Sequence, residues 1–114
     1  MDFAPLANQN RTHPPNWDPP PGWGNDAETL DPEFYWSESG DGTRVTRALG
    51  LDSPSAVMCQ TSDFLYLFES KGVYYVWNRV EGDVWKITSP QAIDAIVASI
   101  KSNGVKSLQM QLVT

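Results

Sequence analysis

The chain is predicted to adopt an α+β fold in which an antiparallel β-meander of about four to five strands packs against one C-terminal helix. Three observations predict it. Four short β-rich runs follow one another between residues 56 and 88, apolar residues recur at helical spacing over 93–100, and the prolines are concentrated near the start of the chain. At 114 residues, the chain is expected to form a single globular domain.

The first 42 residues differ in composition from the rest. They hold eight acids against one Arg, seven of the nine prolines and three of the five tryptophans, whereas residues 43–114 hold seven Lys or Arg against six acids. Because proline fixes φ and removes a backbone donor, we expect irregular structure there. The chain is therefore divided into a Pro-rich, acidic N-terminal strap (1–42) and an α+β domain (43–114). The strap is too rich in aromatic residues to be a solvated tail, so we expect it to pack on the domain or to contact a partner.

Three local elements are expected before residue 56. Residues 18–23 (DPPPGW) predict a polyproline II stretch that ends in a turn at Gly22. Residues 33–37 (EFYWS) predict a short strand. Residues 43–49 predict a short helix with Thr43 as its N-cap.

The meander is predicted by four β-rich runs at residues 56–60, 64–69, 73–80 and 84–88, which are joined by three-residue connectors. Side chains alternate between the two faces of a strand, so the second run has aromatic residues on one face and leucines on the other. Both faces of this run are apolar. We therefore expect both faces of the sheet to be covered, one by the C-terminal helix and the other by the strap or by a partner.

The C-terminal helix has the clearest signals. Ser89 is predicted as its N-cap, with Pro90 at the first helical position and Gly104 after its end. Its apolar stripe follows the helical period: Ile93, Ile96, Val97 and Ile100. Residues 105–113 then alternate as a final strand that can join the sheet.

Composition excludes several classes of function. A net charge of −6 and a pI near 4.5 argue against a nucleic-acid interface and against binding to anionic membranes. The single Cys59 and the single His13 cannot form a disulfide or a structural zinc site, and no catalytic motif is present, so no metal, cofactor or catalytic residue is predicted. The chain start lacks a secretory signal and no run is long enough to span a membrane, so we expect a cytoplasmic protein.

Aromatic residues near one arginine are the candidate binding residues. Three interpretations remain open: cross-strand pairs in a core, a protein interface, or a ligand pocket that also uses a few polar groups. The candidates are Trp23, Tyr35, Trp36, Tyr66, Tyr75, Trp77, Arg79 and Trp85.

Two family patterns bear on these aromatic strands. Residues 72–85 look like the second and third strands of a WW domain, but the Tyr pair and Asn78 are separated by two residues where that family has one, so this assignment is rejected. The YYVWN strand, followed by a polar turn and a short helix from Ser89 to Ile100, resembles the C-terminal half of SMI1/KNR4-type domains, some of which are immunity proteins against toxins. The N-terminal helices and the Gly-containing motif of that family are missing from residues 1–55. The resemblance implies a binding function.

The leading hypothesis is therefore a small non-enzymatic protein–protein interaction module, either an adaptor or an immunity-like binder. Its partner would be another protein, or a second copy that pairs through the meander face or the last strand. The alternative is a small-molecule enzyme or binding protein of the isomerase or cyclase type. Its aromatic pocket would lie between sheet and helix and would be lined by Tyr75, Trp77 and Trp85.

Overall fold

The computed structural model describes residues 17–62 and 64–114, so residues 1–16 of the predicted strap, including His13, and Asp63 lie outside the described residues. It confirms the α+β class, with a six-stranded antiparallel sheet rather than one of four or five strands. The strands neighbour one another in chain order. They are β1 (Trp23–Gly24), β2 (Ser55–Gln60), β3 (Leu65–Ser70), β4 (Val73–Asn78), β5 (Val84–Ser89) and β6 (Gln109–Leu112).

Helices cover both faces of this sheet, whereas the sequence predicts only the C-terminal helix to pack against it. Three short helices precede the meander, and a longer helix with a 3₁₀ turn at Val105–Ser107 connects β5 to β6. The helices are α1 (Ala27–Leu30), α2 (Pro32–Tyr35), α3 (Asp41–Ala48) and α4 (Ile93–Asn103). The prediction that both sheet faces are covered is confirmed, with α4 and Trp23 on one face and residues of α1–α3 on the other.

The alternation predicted for the central strands is also confirmed. Aromatic residues of β3 and β4 pair across the strands, Tyr66 with Trp77 and Phe68 with Tyr75, and their side chains pack together on the face opposite α4. The other face is mainly aliphatic and buries the α4 stripe. Its buried members are Trp23, Val57, Met58, Leu67, Val76, Ile87, Ile96, Val97, Ile100 and Leu108. Each face of the sheet therefore has its own core.

The proline run enters the fold through a tight turn. The N–H of Trp23 donates to the carbonyl of Pro20 at 2.9 Å, and Gly22 has a φ of 85° at the third position of this turn. A left-handed φ there favours glycine, as in a type II turn with proline at the second position. The turn at Gly22 is thus confirmed, and it directs Trp23 into the short edge strand β1, which pairs with β2.

The strand predicted for residues 33–37 is wrong, because this segment begins with a helical turn. Asp31 adopts a left-handed conformation (φ 46°, ψ 59°) between α1 and α2, and Pro32 occupies the first position of α2. Proline is favoured there because its fixed φ suits a helix start and its missing N–H has no intrahelical partner. The backbone N–H of Trp36 then closes the turn on the carbonyl of Pro32 at 2.9 Å.

Two predicted helix starts are also wrong. α3 begins at Asp41 with Gly40 as its N-cap, not at Thr43, because this end of the helix packs tightly on α2. A Cβ on Gly40 would lie 2.5 Å from the carbonyl oxygen of Tyr35, so glycine is required there. α4 begins at Ile93 with Ala92 as its N-cap, because Ser89 still pairs with Gln109 at the end of β5.

One buried hydrogen-bonded group joins the first helices to the sheet. The hydroxyl of Tyr66 donates to the carbonyl of Leu30 at 2.7 Å and accepts from the indole N–H of Trp36 at 2.9 Å. Tyr66 and Leu30 are fully buried. Loss of this hydroxyl would leave a buried donor and a buried acceptor unpaired.

We expect Tyr66→Phe to lower the free energy of unfolding by about 1–3 kcal/mol, since both polar partners lose their hydrogen bond in a dry environment. Urea unfolding measures this effect. Tyr74→Phe is the matched control, because Tyr74 is only half-buried. Equal losses in the two variants would contradict a structural role for the Tyr66 hydroxyl.

The pH dependence of the free energy of unfolding provides a second test of Tyr66→Phe. Burial raises the pKa of Tyr66 above its ordinary value of 10.0, so the folded state keeps the phenol protonated after the unfolded chain has begun to ionise. The contribution of the Tyr66 hydroxyl to the stability of the folded state is therefore complete below pH 10.0 and declines as the pH rises above it. The stability difference between the wild type and Tyr66→Phe should shrink over that range.

Candidate functional site

The structure brings six of the eight predicted binding residues together on the face opposite α4. Trp36 contacts Tyr66 at 5.7 Å and Trp77 at 6.3 Å between ring centroids, with the rings inclined to one another. Tyr35 meets Tyr66 at 5.5 Å. Trp36, Tyr66, Tyr75 and Trp77 are buried, whereas Tyr35 and Arg79 are half-buried at the margin of this cluster. The buried four fill a core, and the marginal two reach the surface.

The other two predicted residues lie on the α4 side. Trp23 is buried there beside Val57 and Met58. Trp85 is half-buried on β5, where it pairs with Val76 on one side and with Leu112 of β6 on the other. The eight residues therefore do not form one site.

Arg79 is held by three hydrogen bonds from its guanidinium. Nη1 donates to the Tyr35 hydroxyl at 2.9 Å, Nη2 to the carbonyl of Gln60 at 3.1 Å and Nε to the carbonyl of Phe64 at 3.1 Å. The guanidinium carbon also lies 5.2 Å from the Tyr35 ring centroid, within the range of a cation–π contact. The side chain thus fastens α2 to the β2–β3 turn.

Two exposed phenylalanines extend this arrangement to the surface. Phe34 is 60% exposed, and its ring packs edge-on against Tyr35 at 4.9 Å. Phe64 is 52% exposed, and its ring centroid lies 6.0 Å from the guanidinium carbon of Arg79. We call Phe34, Tyr35, Phe64 and Arg79 the aromatic–arginine cluster. Exposed aromatic rings beside a fixed guanidinium and its tyrosine partner are typical of protein contact sites.

Exposed carboxylates lie along α1, α2 and the start of α3, and one of them, Glu33, directly precedes Phe34 of the cluster. Some are engaged locally. Asp26 accepts from the backbone N–H of Thr29 at 2.7 Å, and this hydrogen bond lowers its pKa. Asp41 pairs with Arg44, whereas Glu28 and Glu33 have no ion-pair partner within the described ranges. The exposed acids are Asp26, Glu28, Asp31, Glu33, Glu38 and Asp41.

Sequence reasoning identified Tyr35 and Arg79 but did not propose Phe34 or Phe64. The strand pattern predicts Phe64 within the second run, yet Phe64 precedes β3 with a left-handed φ of 68°. A bulky residue rarely adopts this conformation, which turns its ring out of the sheet pattern. Phe34 was assigned to the strand that proved to be α2. A turn signal before Phe64 and Pro32 before Phe34 were the available indications.

The other potentially reactive side chains are buried in the core. The thiol of Cys59 is buried and donates to the carbonyl of Thr29 at 3.1 Å, and burial raises its pKa, which leaves it a weak nucleophile. The indole N–H of Trp77 is a buried donor without an acceptor in the described part of the chain, and its ring meets Tyr35 edge-on at 5.8 Å. Over residues 17–62 and 64–114, no three metal-binding side chains come together. None of the helices described there is long and apolar enough to cross a membrane.

Comparison with known protein families, with curated proteins and with solved structures finds no match to this chain. The resemblance of the YYVWN region to SMI1/KNR4-type domains therefore rests on its own residues. Function has to be argued from the surface geometry.

We expect Arg79→Lys to lower the free energy of unfolding by about 1–2 kcal/mol, because a lysine cannot reproduce the three-way hydrogen bonding of the planar guanidinium. Amide hydrogen exchange should also accelerate around Gln60 and Leu65. Arg44→Lys is the control, because Arg44 is an exposed helix residue that makes a surface ion pair. Retained stability and protection in Arg79→Lys would show that the positive charge alone suffices.

Proposed function

We propose that this protein is a non-enzymatic protein–protein interaction module whose contact surface is the aromatic–arginine cluster. One observation carries the proposal: the guanidinium of Arg79 is already held by intramolecular hydrogen bonds, the 52% exposed Phe64 ring lies over it, and the 60% exposed Phe34 ring packs on its hydrogen-bond partner Tyr35. Side chains that are ordered before binding lose less conformational entropy on association. Phe, Tyr and Arg are also enriched at protein interfaces.

The charge around the cluster favours a partner with a basic surface. Residues 17–42 contain seven acids and no Lys or Arg, and Glu28 and Glu33 are free of ion pairs within the described ranges. Such a field accelerates association with an oppositely charged protein and disfavours acidic competitors. An adaptor or an immunity-like binder of a basic protein fits these features, and a cytoplasmic location belongs to the same proposal.

A photo-crosslinking amino acid at position 34 tests this proposal in the cells that make the protein. We expect a discrete crosslinked partner from position 34 and none from position 80, because Val80 is 67% exposed but lies outside the cluster. Mass spectrometry identifies the adduct. Equal adducts from both positions, or none from position 34, would contradict the proposal.

Charge reversal in the same experiment tests whether the exposed acids of α1 and α2 take part in recognition. Glu28→Lys with Glu33→Lys should reduce the position-34 adduct several-fold at low salt, since about two favourable charges become repulsive. Glu81→Lys with Asp94→Lys changes the net charge equally at sites outside α1–α3 and should leave the adduct unchanged. Asp31 is kept, because its left-handed backbone (φ 46°) would strain a lysine. An unaffected adduct would show that Glu28 and Glu33 do not contribute to recognition.

One observation favours the small-molecule alternative. An open groove of about 250 Å³ is lined by Gly72, Val73, Lys86, Ile87, Thr88 and Gln91. Lys86 has no ion-pair partner in the part of the chain that the structure describes, so an anionic group on a ligand would be its natural counterpart. Tyr75 and Trp77, proposed to line a pocket against the helix, instead lie on the face opposite α4.

Binding in this groove would be detected by NMR screening of small carboxylates. Hits should shift the signals of Val73 and Thr88, and Lys86→Met should abolish those shifts. Lys101→Met, which removes an exposed lysine of α4, should preserve them. Shifts that survive in Lys86→Met would place the ligand elsewhere.

A further inference from the structure

The two edges of the sheet are protected to different degrees. β1 is two residues long and follows Pro19, Pro20 and Pro21, which supply no backbone N–H for pairing. β6 is four residues long and contains neither proline nor a charged residue. Natural sheets use short strands, prolines and charges to prevent edge pairing, and β6 has none of these devices except limited length. Within the described ranges, β6 has a neighbouring strand on one side only.

The backbone of β6 presents hydrogen-bonding groups along this edge. The N–H of Val113 donates to the carbonyl of Val84 at 2.9 Å, so Val113 forms a hydrogen-bonded pair with β5. Hydrogen-bonded and non-hydrogen-bonded pairs alternate in antiparallel strands. Leu112, opposite Trp85, and Met110, opposite Ile87, therefore direct their N–H and C=O groups away from β5.

The side chains along this edge are also suited to pairing. Leu112 is 45% exposed and adjoins the half-buried Trp85, while Met110 is only partly covered by the α4 core. These three apolar side chains share the α4 side of the sheet. A further strand beside β6 would extend this apolar row and remove it from water.

Charge selects the kind of strand that can pair here. The chain carries −6 overall, and seven acids lie within residues 17–42, so two copies repel each other across most approaches. Residues 84–114 instead hold three lysines and one acid, and residues 107–114 are uncharged. β6 is thus a neutral, self-compatible surface on an acidic chain, where a second copy meets no like charge directly opposite.

We propose that two copies of this chain associate through antiparallel pairing of their β6 strands, which would extend the sheet to twelve strands. In the two-fold register centred on Gln111, Met110 of each copy lies opposite Leu112 of the other, and their outward N–H and C=O groups form four hydrogen bonds. The two Gln111 residues face each other, with Cα atoms about 4.5 Å apart. The paired edge is small beside a standard interface of about 1,600 Å², so the dimer is weak, with a micromolar dissociation constant. This proposal is independent of the function proposed for the aromatic–arginine cluster.

Sedimentation velocity from about 0.1 to about 500 µM tests the proposal on the full chain, a range that brackets micromolar affinity. The wild type should shift from monomer to dimer. Gln111→Lys should weaken the dimer about five-fold or more, because two like charges then lie directly opposite. Gln91→Lys adds the same charge on the loop before α4 and should dimerise like the wild type. Near-ultraviolet circular dichroism verifies that each variant is folded.

A mixing experiment makes the test specific for this register. Gln111→Glu should also be weakened as a homodimer, whereas an equimolar mixture of Gln111→Glu and Gln111→Lys should recover dimers, since opposite charges then face each other. A monomeric wild type at the highest concentration would overturn the proposal and leave the edge to a strand from another protein. Dimers insensitive to both substitutions, or no recovery on mixing, would overturn it as well.

Discussion

The Tyr66 hydroxyl is the connection on which the arrangement of the N-terminal layer depends. It binds the carbonyl at the end of α1 and the indole N–H that follows α2, so one side chain of a central strand orients two helices. The indole of Trp36 is thereby directed into the core. Phe34 and Tyr35, which precede it in the same helical turn, are left at the edge of the layer, where Tyr35 meets Arg79. A buried polar contact thus determines which aromatic rings remain at the surface.

The sheet and the last helix could be predicted because their signals are local and periodic. The three-residue connectors separate strands that pair with their sequence neighbours, and the Ile93 to Ile100 stripe recurs at the helical period. The boundaries failed where tertiary contacts decide. Ser89 has the composition of an N-cap, yet pairing with Gln109 keeps it in β5. Thr43 has the composition of an N-cap, yet close packing on the Tyr35 carbonyl makes Gly40 the N-cap of α3.

The candidate site could be predicted only in part, for a related reason. Arg79 continues the alternation of β4 beyond Trp77, so its side of the sheet follows from the sequence. Its hydrogen bonds do not, because two of its acceptors are carbonyls at the ends of β2 and β3 whose positions depend on the turn between them. The exposure of Phe64 depends in turn on a left-handed backbone angle that periodicity does not encode. The conformation of the turns therefore determines which side chains of the candidate site are exposed, whereas strand alternation determines which side chains enter the core.

The two proposed contact surfaces lie in different parts of the sheet and are compatible. The aromatic–arginine cluster lies at the β2–β3 turn and the end of β4, and β5 separates it from β6. With strands about 4.8 Å apart, pairing through β6 would place the two clusters roughly 40 Å from each other. Both would stay accessible, since the exposed rings of the cluster, Phe34 and Phe64, lie on α2 and before β3 rather than on β6. Such a dimer would present two acidic, aromatic surfaces at a fixed spacing. A basic partner with two sites at a matching distance would then bind more tightly than either contact allows, because the second contact forms within the same complex.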